Sequence, residues 1–318
     1  MPPLYLTEND VKQLVDMRLA IDVVEEAFRR LATGEAMNVP RQRAKAPGIV
    51  LHSMTAAAPY LGLVGWKCYT TTKSGARFLV GLYEAASGEL VALVEADRLG
   101  QLRTGAVTGI AAKLLAAADA EEVGLFSAGY QGETQLAAVA AVRRLRRVRI
   151  FSRTAEKRSA FADRMSAELA LEVLPVERPE EAVENTPIVI TATTSSTPVF
   201  DGGCLAEGAF VAAVGSNWLN RAEIDATVVR RSENIVCDSI EACRHEAGDF
   251  AQAEKQGAFD WSRVVELADV VAGNSRGRSS PEGIVLFKSV GLAIEDVALG
   301  GKVLELARRQ NLGRTLPL

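Results

Sequence analysis

Two stretches of this sequence carry residue types at spacings that suit a dinucleotide. The run VGLFSAGYQGETQ (123–135) ends a short apolar stretch in a glycine-bearing turn. Set against G-x-G-x-x-G, its three positions are Ser127, Gly129 and Gly132. A glycine at the second position lets backbone approach a pyrophosphate, and one at the third lets the following helix pack tightly on the strand. The helix beginning near Gln131 would aim its free N–H groups at the phosphates. Ala128, Gly129, Tyr130 and Gln131 are therefore candidate cofactor residues. Two glycines of three is a weak pattern alone, and Ser127 is a departure from it. Its place after the first strand of a βαβ run gives it weight.

The second stretch lies about twenty residues on, where an NAD site usually places Asp or Glu for the ribose 2′-hydroxyl. Here the run is Ile150-Phe151-Ser152-Arg153-Thr154, with Lys157 and Arg158 just beyond. A guanidinium and two hydroxyls suit a 2′-phosphate, which a carboxylate would repel. Ser152, Arg153, Thr154 and Arg158 thus favour NADP(H) over NAD(H); the plainer alternative makes the two arginines solvated surface charges. RRLRRVR (143–149) is a tempting phosphate site, but it leads into a strand, whereas ligands bind beyond strand carboxyl ends. A solvated face is expected there.

Other chemistry is thinly supplied. Two histidines, His52 and His245, are too few for a histidine-built metal site, and no metal is expected. Four cysteines (Cys68, Cys204, Cys237, Cys243) form no C-x-x-C pair and read as reduced core thiols of a cytoplasmic protein. Among the cations, Arg41, Arg43 and Lys45 are equal candidates in one segment. Lys67 alternates out of an apolar strand, as a solvated edge residue does. Arg103 at a helix start is poor dipole chemistry, which hints at an anion nearby. His52, in a strand-like run, reads as a packed or hydrogen-bonded histidine.

The elements that must position these residues fall into two rhythms. Thr7 can cap a helix over 8–15, and Ile21, Val24, Phe28 and Leu31 recur on one face of a second helix that Gly34 closes. Strand-like runs follow at 49–52, 61–69, 78–83 and 90–95, with a hairpin turn at 85–88. An alanine-rich helix over 104–118 leaves this mainly antiparallel block. Short apolar strands at 123–126, 148–151, 188–192, 210–214 and 235–237 then alternate with helices at 131–145, 155–169 and 240–256. That alternation means parallel βαβ units. A strand at 284–289 and a helix at 292–309 close the chain. The expected fold is α/β: a Rossmann-type dinucleotide domain (118–283) inserted in a second α+β domain made from both chain ends (1–117 with 284–318).

Composition agrees with a two-domain globular chain: 318 residues, 48% hydrophobic and 24% charged. A net charge of −4 argues against a nucleic-acid partner. No apolar run is long enough to cross a bilayer, and the start MPPLYLTENDV lacks signal-peptide character.

Over essentially its whole length the chain resembles the ornithine cyclodeaminase/mu-crystallin family. The matching segments include PRQRA (40–44), GLVGWKCY (62–69), LRTGAVTGIAAKLLA (102–116), ITATTSSTPVF (190–200), VAAVGSN (211–217), EAGDF (246–250) and VLFKSVGLAIEDVA (285–298). The resemblance implies a nicotinamide enzyme acting on α-amino or α-imino acids, and a homodimer paired through the non-nucleotide domain. It implies that Arg43, Lys67 and Arg103 converge on a substrate carboxylate, with Lys67 also able to relay a proton. Thr104 would meet the pyrophosphate, Thr193 and Thr194 would flank the nucleotide, and Ser289 to Gly291 would lie near the nicotinamide.

Departures within the family pattern choose the subtype. Cyclodeaminases carry an Asp where this chain has Asn217, and an amide cannot act as a carboxylate base. A family threonine falls near Leu79, and Lys288 stands where many members have Asp, as on the mu-crystallin side. The reading that follows is an NADPH-dependent reductase of a cyclic imino acid, such as 1-pyrroline-2-carboxylate or 1-piperideine-2-carboxylate, with Asn217 orienting the ring nitrogen. The alternatives are an alanine- or arginine-type amino-acid dehydrogenase, an ornithine or lysine cyclodeaminase, and a non-catalytic NADPH-binding protein.

Overall fold

Thr7 and Asp10 cap each other reciprocally at the start of α1 (Glu8–Leu14), just after a short strand β1 (Leu4–Leu6). Asp16 accepts the Leu19 N–H and starts α2 (Met17–Ala32), which buries Ala20, Ile21, Val24, Ala27 and Phe28 along one stripe. The computed structural model describes residues 2–317. These form two compact units, one from the residues up to Thr104 with those from Gly291 on, the other from Gly105–Val290. The residue pattern sets these limits at 117/118 and 283/284 instead. The first division falls inside a helix that begins well before the expected 104.

In the first unit β2 (Met37–Ala46), β3 (Ile49–Ala58), β4 (Leu63–Thr72), β5 (Gly75–Glu84) and β6 (Leu90–Glu95) pair antiparallel in sequence order. β2 has no counterpart among the expected strands, because Pro40 and an unalternating polar run disguise it. Pro40 is tolerated because the strand bulges there: Val39 faces Thr55 and Gln42 faces Ser53, so one residue is extra. The following helix α3 spans Asp97–Leu115.

The second unit is an eight-stranded, all-parallel sheet. Its strands are β7 (Glu122–Phe126), β8 (Arg147–Phe151), β9 (Glu172–Pro175), β10 (Ile188–Thr191), β11 (Phe210–Ala213), β12 (Ser232–Cys237), β13 (Val264–Glu266) and β14 (Ile284–Lys288). Spatial order is β13-β12-β14-β11-β10-β7-β8-β9, so the chain reverses direction across the sheet between β7 and β10. Residues of β10, β11 and β14 are all buried, as strands covered on both faces must be. Helices α4 (Tyr130–Val142), α5 (Ala155–Leu169), α6 (Ala226–Arg231), α7 (Ile240–Glu246), α8 (Gly248–Lys255) and α9 (Leu267–Val271) accompany them.

Two expectations change here. The single helix expected over 240–256 is broken at Ala247, because Gly248 packs on the loop carbonyls of Arg221 and Trp218, which any Cβ would strike. The arginine run is no free solvated face either. Arg143 donates to the carbonyls of Ala112, Lys113 and Ala116 at the end of α3, and Arg149 to those of Glu181 and Glu184. Arg146 and Arg147 pair with Glu122 and Glu172. These arginines satisfy orphan carbonyls and carboxylates of their own unit.

The chain returns to the first unit through α10 (Ala293–Gln310) and β15 (Arg314–Thr315), completing a seven-stranded sheet of order β15-β1-β6-β5-β4-β3-β2. α10 lies on the β3–β5 face, and its residues Ala293–Gly300 are buried all round. Among the described residues no helix is long and apolar enough to cross a membrane.

Candidate active site

The sheet face beneath α10 carries the polar residues that the sequence singled out. Strand register sets Arg43 opposite His52, His52 opposite Tyr69 and Tyr69 opposite Phe78, one cross-strand row. The next row is Met54, Lys67 and Val80. Strict alternation would put Val39 on this face too; the bulge sends Val39 to the outer face and leaves Arg41 beside Met54. Arg41 is buried, its Nε 3.3 Å from Met54 Sδ and its Nη2 donating to the Gly291 carbonyl at 3.4 Å. His52 stacks on Tyr69 with ring centres 4.1 Å apart and shares a 3.0 Å hydrogen bond with Thr71 Oγ1, the packed role expected of it. Burial first, then the charges of Arg43 and Arg41, push its pKa down to about 4, so the ring is neutral.

Four charges meet under the first turn of α10. Lys67 Nζ donates to Asp296 Oδ1 at 2.7 Å, Arg103 Nε reaches the same oxygen at 3.2 Å, and Arg103 Nη1 meets Glu295 Oε2 at 2.7 Å. The Lys67 side chain is 2% exposed and both carboxylates 0%. The helix N-terminus favours acidic residues here, and Glu295 also accepts the Leu292 N–H. Arg103 sits in the second turn of α3 rather than at its start, and the anions its position hinted at are the protein's own. Burial alone would lower the Arg103 pKa, but Asp296 and Glu295 more than reverse it and keep the guanidinium charged. Lys67 goes the other way. Burial and the Arg103 charge lower it to about 8, with Asp296 resisting.

In the second unit a buried ion pair organises the loops at the strand ends. Lys288 Nζ lies 2.7 Å from Asp249 Oδ2 and donates to the Ser216 carbonyl at 2.9 Å. Asp249 Oδ1 accepts from Glu223 N and Ile224 N. Glu223 in turn accepts from Thr193 N and Gly215 N, each at 2.6 Å. One network thus ties the loop of Thr193 and Thr194 to the Gly215–Ser216–Asn217 loop. Burial would lower Lys288, but Asp249 and Glu223 outweigh it and hold the ammonium charged. Asp238 does the same for the end of β14, accepting from Ser289 Oγ at 2.8 Å and Val290 N at 2.7 Å.

At the switch between β7 and β10, a cavity of about 340 Å³ opens beyond the strand ends. Ser127 fills the first glycine position by turning its Oγ inward, where it accepts the Gly129 N–H at 3.3 Å. A Cβ on Gly132 would fall 2.9 Å from that oxygen, so the third glycine is required by helix packing. A Cβ on Gly129 would meet nothing closer than 3.8 Å; the space above the N-terminus of α4 is left open, as a pyrophosphate requires. Ala128, Ser152, Arg153, Thr154, Lys157, Thr193 and Thr194 line the same cavity, and among the described residues no Asp or Glu does. Tyr130 stands exposed at the start of α4, with Gln131 after it. Arg158 is not among these lining residues; its Nη1 donates to the Ser152 carbonyl at 2.7 Å and its guanidinium lies over the Phe151 ring. Thr104 donates its hydroxyl to the Gly100 carbonyl within α3.

Of the three cations named for a carboxylate, the structure brings Lys67 and Arg103 together through Asp296. Arg41 stands beside them, while Arg43 lies one row further along. Asp296 and Glu295 escape notice as site residues in the sequence because adjacent acids in a first helical turn read as dipole chemistry. Asp249 and Glu223 leave no local signal at all.

A family model described as "Ornithine cyclodeaminase/mu-crystallin family" matches residues 2–311. The chain is 29% identical to a Delta(1)-pyrroline-2-carboxylate reductase of Bacillus cereus, over 98% of this chain and 99% of that one. Among solved structures it is similar to Thermococcus litoralis Delta(1)-pyrroline-2-carboxylate reductase in complex with NADH and L-proline. That match has a TM-score of 0.94 at 32% identity, covering 98% of this chain and all of that one. An archaeal alanine dehydrogenase dimer with bound NAD also superimposes with a TM-score of 0.94, at 29% identity over the whole of both chains.

Proposed function

The chain belongs to the ornithine cyclodeaminase/mu-crystallin family and is an NAD(P)H-dependent oxidoreductase, and from that premise we propose that it reduces the C=N bond of a cyclic ketimine carboxylate with NADPH. The products would be cyclic L-amino acids such as L-proline or L-pipecolate. The observation that carries this reading is the buried cationic corner where Arg41 and Lys67 of the sheet meet Arg103 of α3. Such a corner suits one substrate carboxylate, gripped in the plane of a guanidinium. It fixes the imine carbon in place, which is most of what hydride transfer to an already electrophilic iminium requires. The bound nicotinamide supplies the hydride. Lys67 Nζ gives one of its three hydrogens to Asp296, so it has others to offer a substrate carboxylate or the ring nitrogen. A pKa near 8 lets it pass a proton at neutral pH. Asn217 brings an amide and no base, which weighs against cyclodeamination.

For the cofactor, the open space over Gly129 fits a pyrophosphate, and the cluster of Ser152, Arg153, Thr154 and Lys157, without a carboxylate, supports NADPH over NADH. The test is loss of reduced-nicotinamide absorbance with 1-pyrroline-2-carboxylate and 1-piperideine-2-carboxylate, with NADPH and NADH run in parallel. Turnover of either imine, faster with NADPH at low cofactor concentration, is the expected result; no turnover of either ends this reading. Likeness to alanine dehydrogenase over the whole chain favours one second reading, in which the same corner serves a 2-oxo acid and ammonia. Ammonia-dependent reduction of pyruvate without imine turnover would select it.

Two copies pair, on this reading, through the outer face of the seven-stranded sheet. That face exposes Met37, Val39 and Val64 in neighbouring rows, with Ile49 and Leu51 further along β3 beyond Ser53, all 37–63% accessible; exposed apolar residues of this kind mark an interface. Leu51→Glu combined with Val64→Glu is expected to convert a dimer to a monomer by light scattering. A variant that stays dimeric rejects this face.

A further inference from the structure

We infer that Asp296 is a positioning residue that keeps the buried Lys67 ammonium charged, and so sets the pH above which the site releases a carboxylate. The inference rests on the proposed carboxylate site, but its first readout does not depend on any substrate. Three features of the geometry carry it. Lys67 and Asp296 are both withdrawn from solvent and meet at 2.7 Å, so neither charge has water to lean on. The oxygen that Lys67 uses is shared with Arg103 at 3.2 Å, while Asp296 Oδ2 is buried with no hydrogen-bond partner among the described residues. The second oxygen thus keeps its acceptor capacity within the buried pair. Finally, Gly100 of α3 makes room for the pair: a Cβ there would lie 2.9 Å from Lys67 Nζ and 3.9 Å from Asp296 Oδ1.

The groups facing Lys67 show why one carboxylate matters so much. From β2 comes Arg41, from β3 the neutral His52, from β4 Tyr69, from α3 Arg103, and from α10 Glu295 and Asp296. Arg103 and Arg41 both oppose a charge on Lys67, and burial opposes it more; Asp296 is what holds its pKa up near 8. A neutral residue at 296 leaves an ammonium buried against a guanidinium. Lys67 then sheds its proton rather than bear the uncompensated charge. Because the charged form binds an anion, carboxylate affinity is full below the Lys67 pKa and falls as pH rises through it. Losing Asp296 moves that fall to lower pH.

The direct experiment follows the Lys67 Cε and Nζ resonances against pH in isotopically labelled full-length protein, assigned with Lys67→Arg. Wild type is expected to titrate near pH 8, and Asp296→Asn about one unit lower or more, the size of shift an opposite charge in contact produces. Asp296→Ser, neutral and smaller, is the second variant should the first fail to fold, and Asp296→Glu is expected to restore the midpoint. Binding of pyrrole-2-carboxylate, followed by calorimetry, should lose about tenfold in affinity per unit above each protein's own midpoint. A midpoint unmoved in both neutral variants overturns the inference. A shifted midpoint in a protein that turns over no imine upholds it and rejects the proposed reaction instead.

Discussion

Arg41→Ala is expected to lower kcat/KM for a cyclic imino acid by about a hundredfold or more, and Arg43→Ala by less than about tenfold. The two arginines are two residues apart on one strand and face the same side, yet their surroundings differ. Arg41 is buried, touches the Gly291 carbonyl and lies close enough to Lys67 to depress its pKa. Arg43 is partly exposed, and it shares with Arg41 the charge that lowers the His52 pKa without being among the charges that lower that of Lys67. A charge-assisted contact in a desolvated corner contributes several times what a solvent-screened one does. The loss in Arg41→Ala should fall on KM and kcat together, because an imine without its carboxylate anchor is both weakly bound and badly aligned. Steady-state kinetics on the two variants decide the matter. Equal losses, or the larger one at Arg43, would return the role to the residue that the family resemblance first suggested.

Arg153→Ala is expected to raise KM for NADPH by about tenfold to thirtyfold while changing that for NADH by less than about twofold. Arg153 is solvent-exposed at the end of β8 and lines the cavity with Ser152, Thr154 and Lys157, so its removal should cost little stability. Its effect belongs to one phosphate group, and the NADPH-to-NADH ratio isolates that group from everything else the cofactor touches. Arg158 donates to the Ser152 carbonyl, so its removal is expected to disturb loop order and affect both cofactors. Comparable NADPH affinity in Arg153→Ala and wild type would sink the 2′-phosphate assignment.

Much of the fold is legible in the sequence because it depends on local periodicity. Runs such as Ile188–Thr191 and Phe210–Ala213 are apolar at nearly every position, and a strand buried on both faces has no other way to be written. β2 is not legible: it is polar at alternate and adjacent positions and contains a proline, and only its pairing with β3 through a bulge makes it a strand. The helix expected over 240–256 fails for a similar reason. What breaks it is the approach of the 218–221 loop to Gly248, a contact with no trace in the helix's own pattern.

The sequence by itself determined the dinucleotide end of this protein. The turn of Ser127, Gly129 and Gly132 and the cations after β8 each lie within one contiguous βα segment, where a residue's neighbours in the chain are also its neighbours in space. The buried charged corner is different. Residues 41, 67, 103 and 296 come from β2, β4, α3 and α10, and their meeting depends on strand register, a one-residue bulge and the way α10 lies across the sheet. Only the tertiary structure could show that Arg41, beside Met54 and the Gly291 carbonyl, is buried next to Lys67 while Arg43 lies one row further along. Only it could show that the anion beside Arg103 is Asp296, because long-range pairing of buried charges is set by which faces are forced together when the apolar core closes.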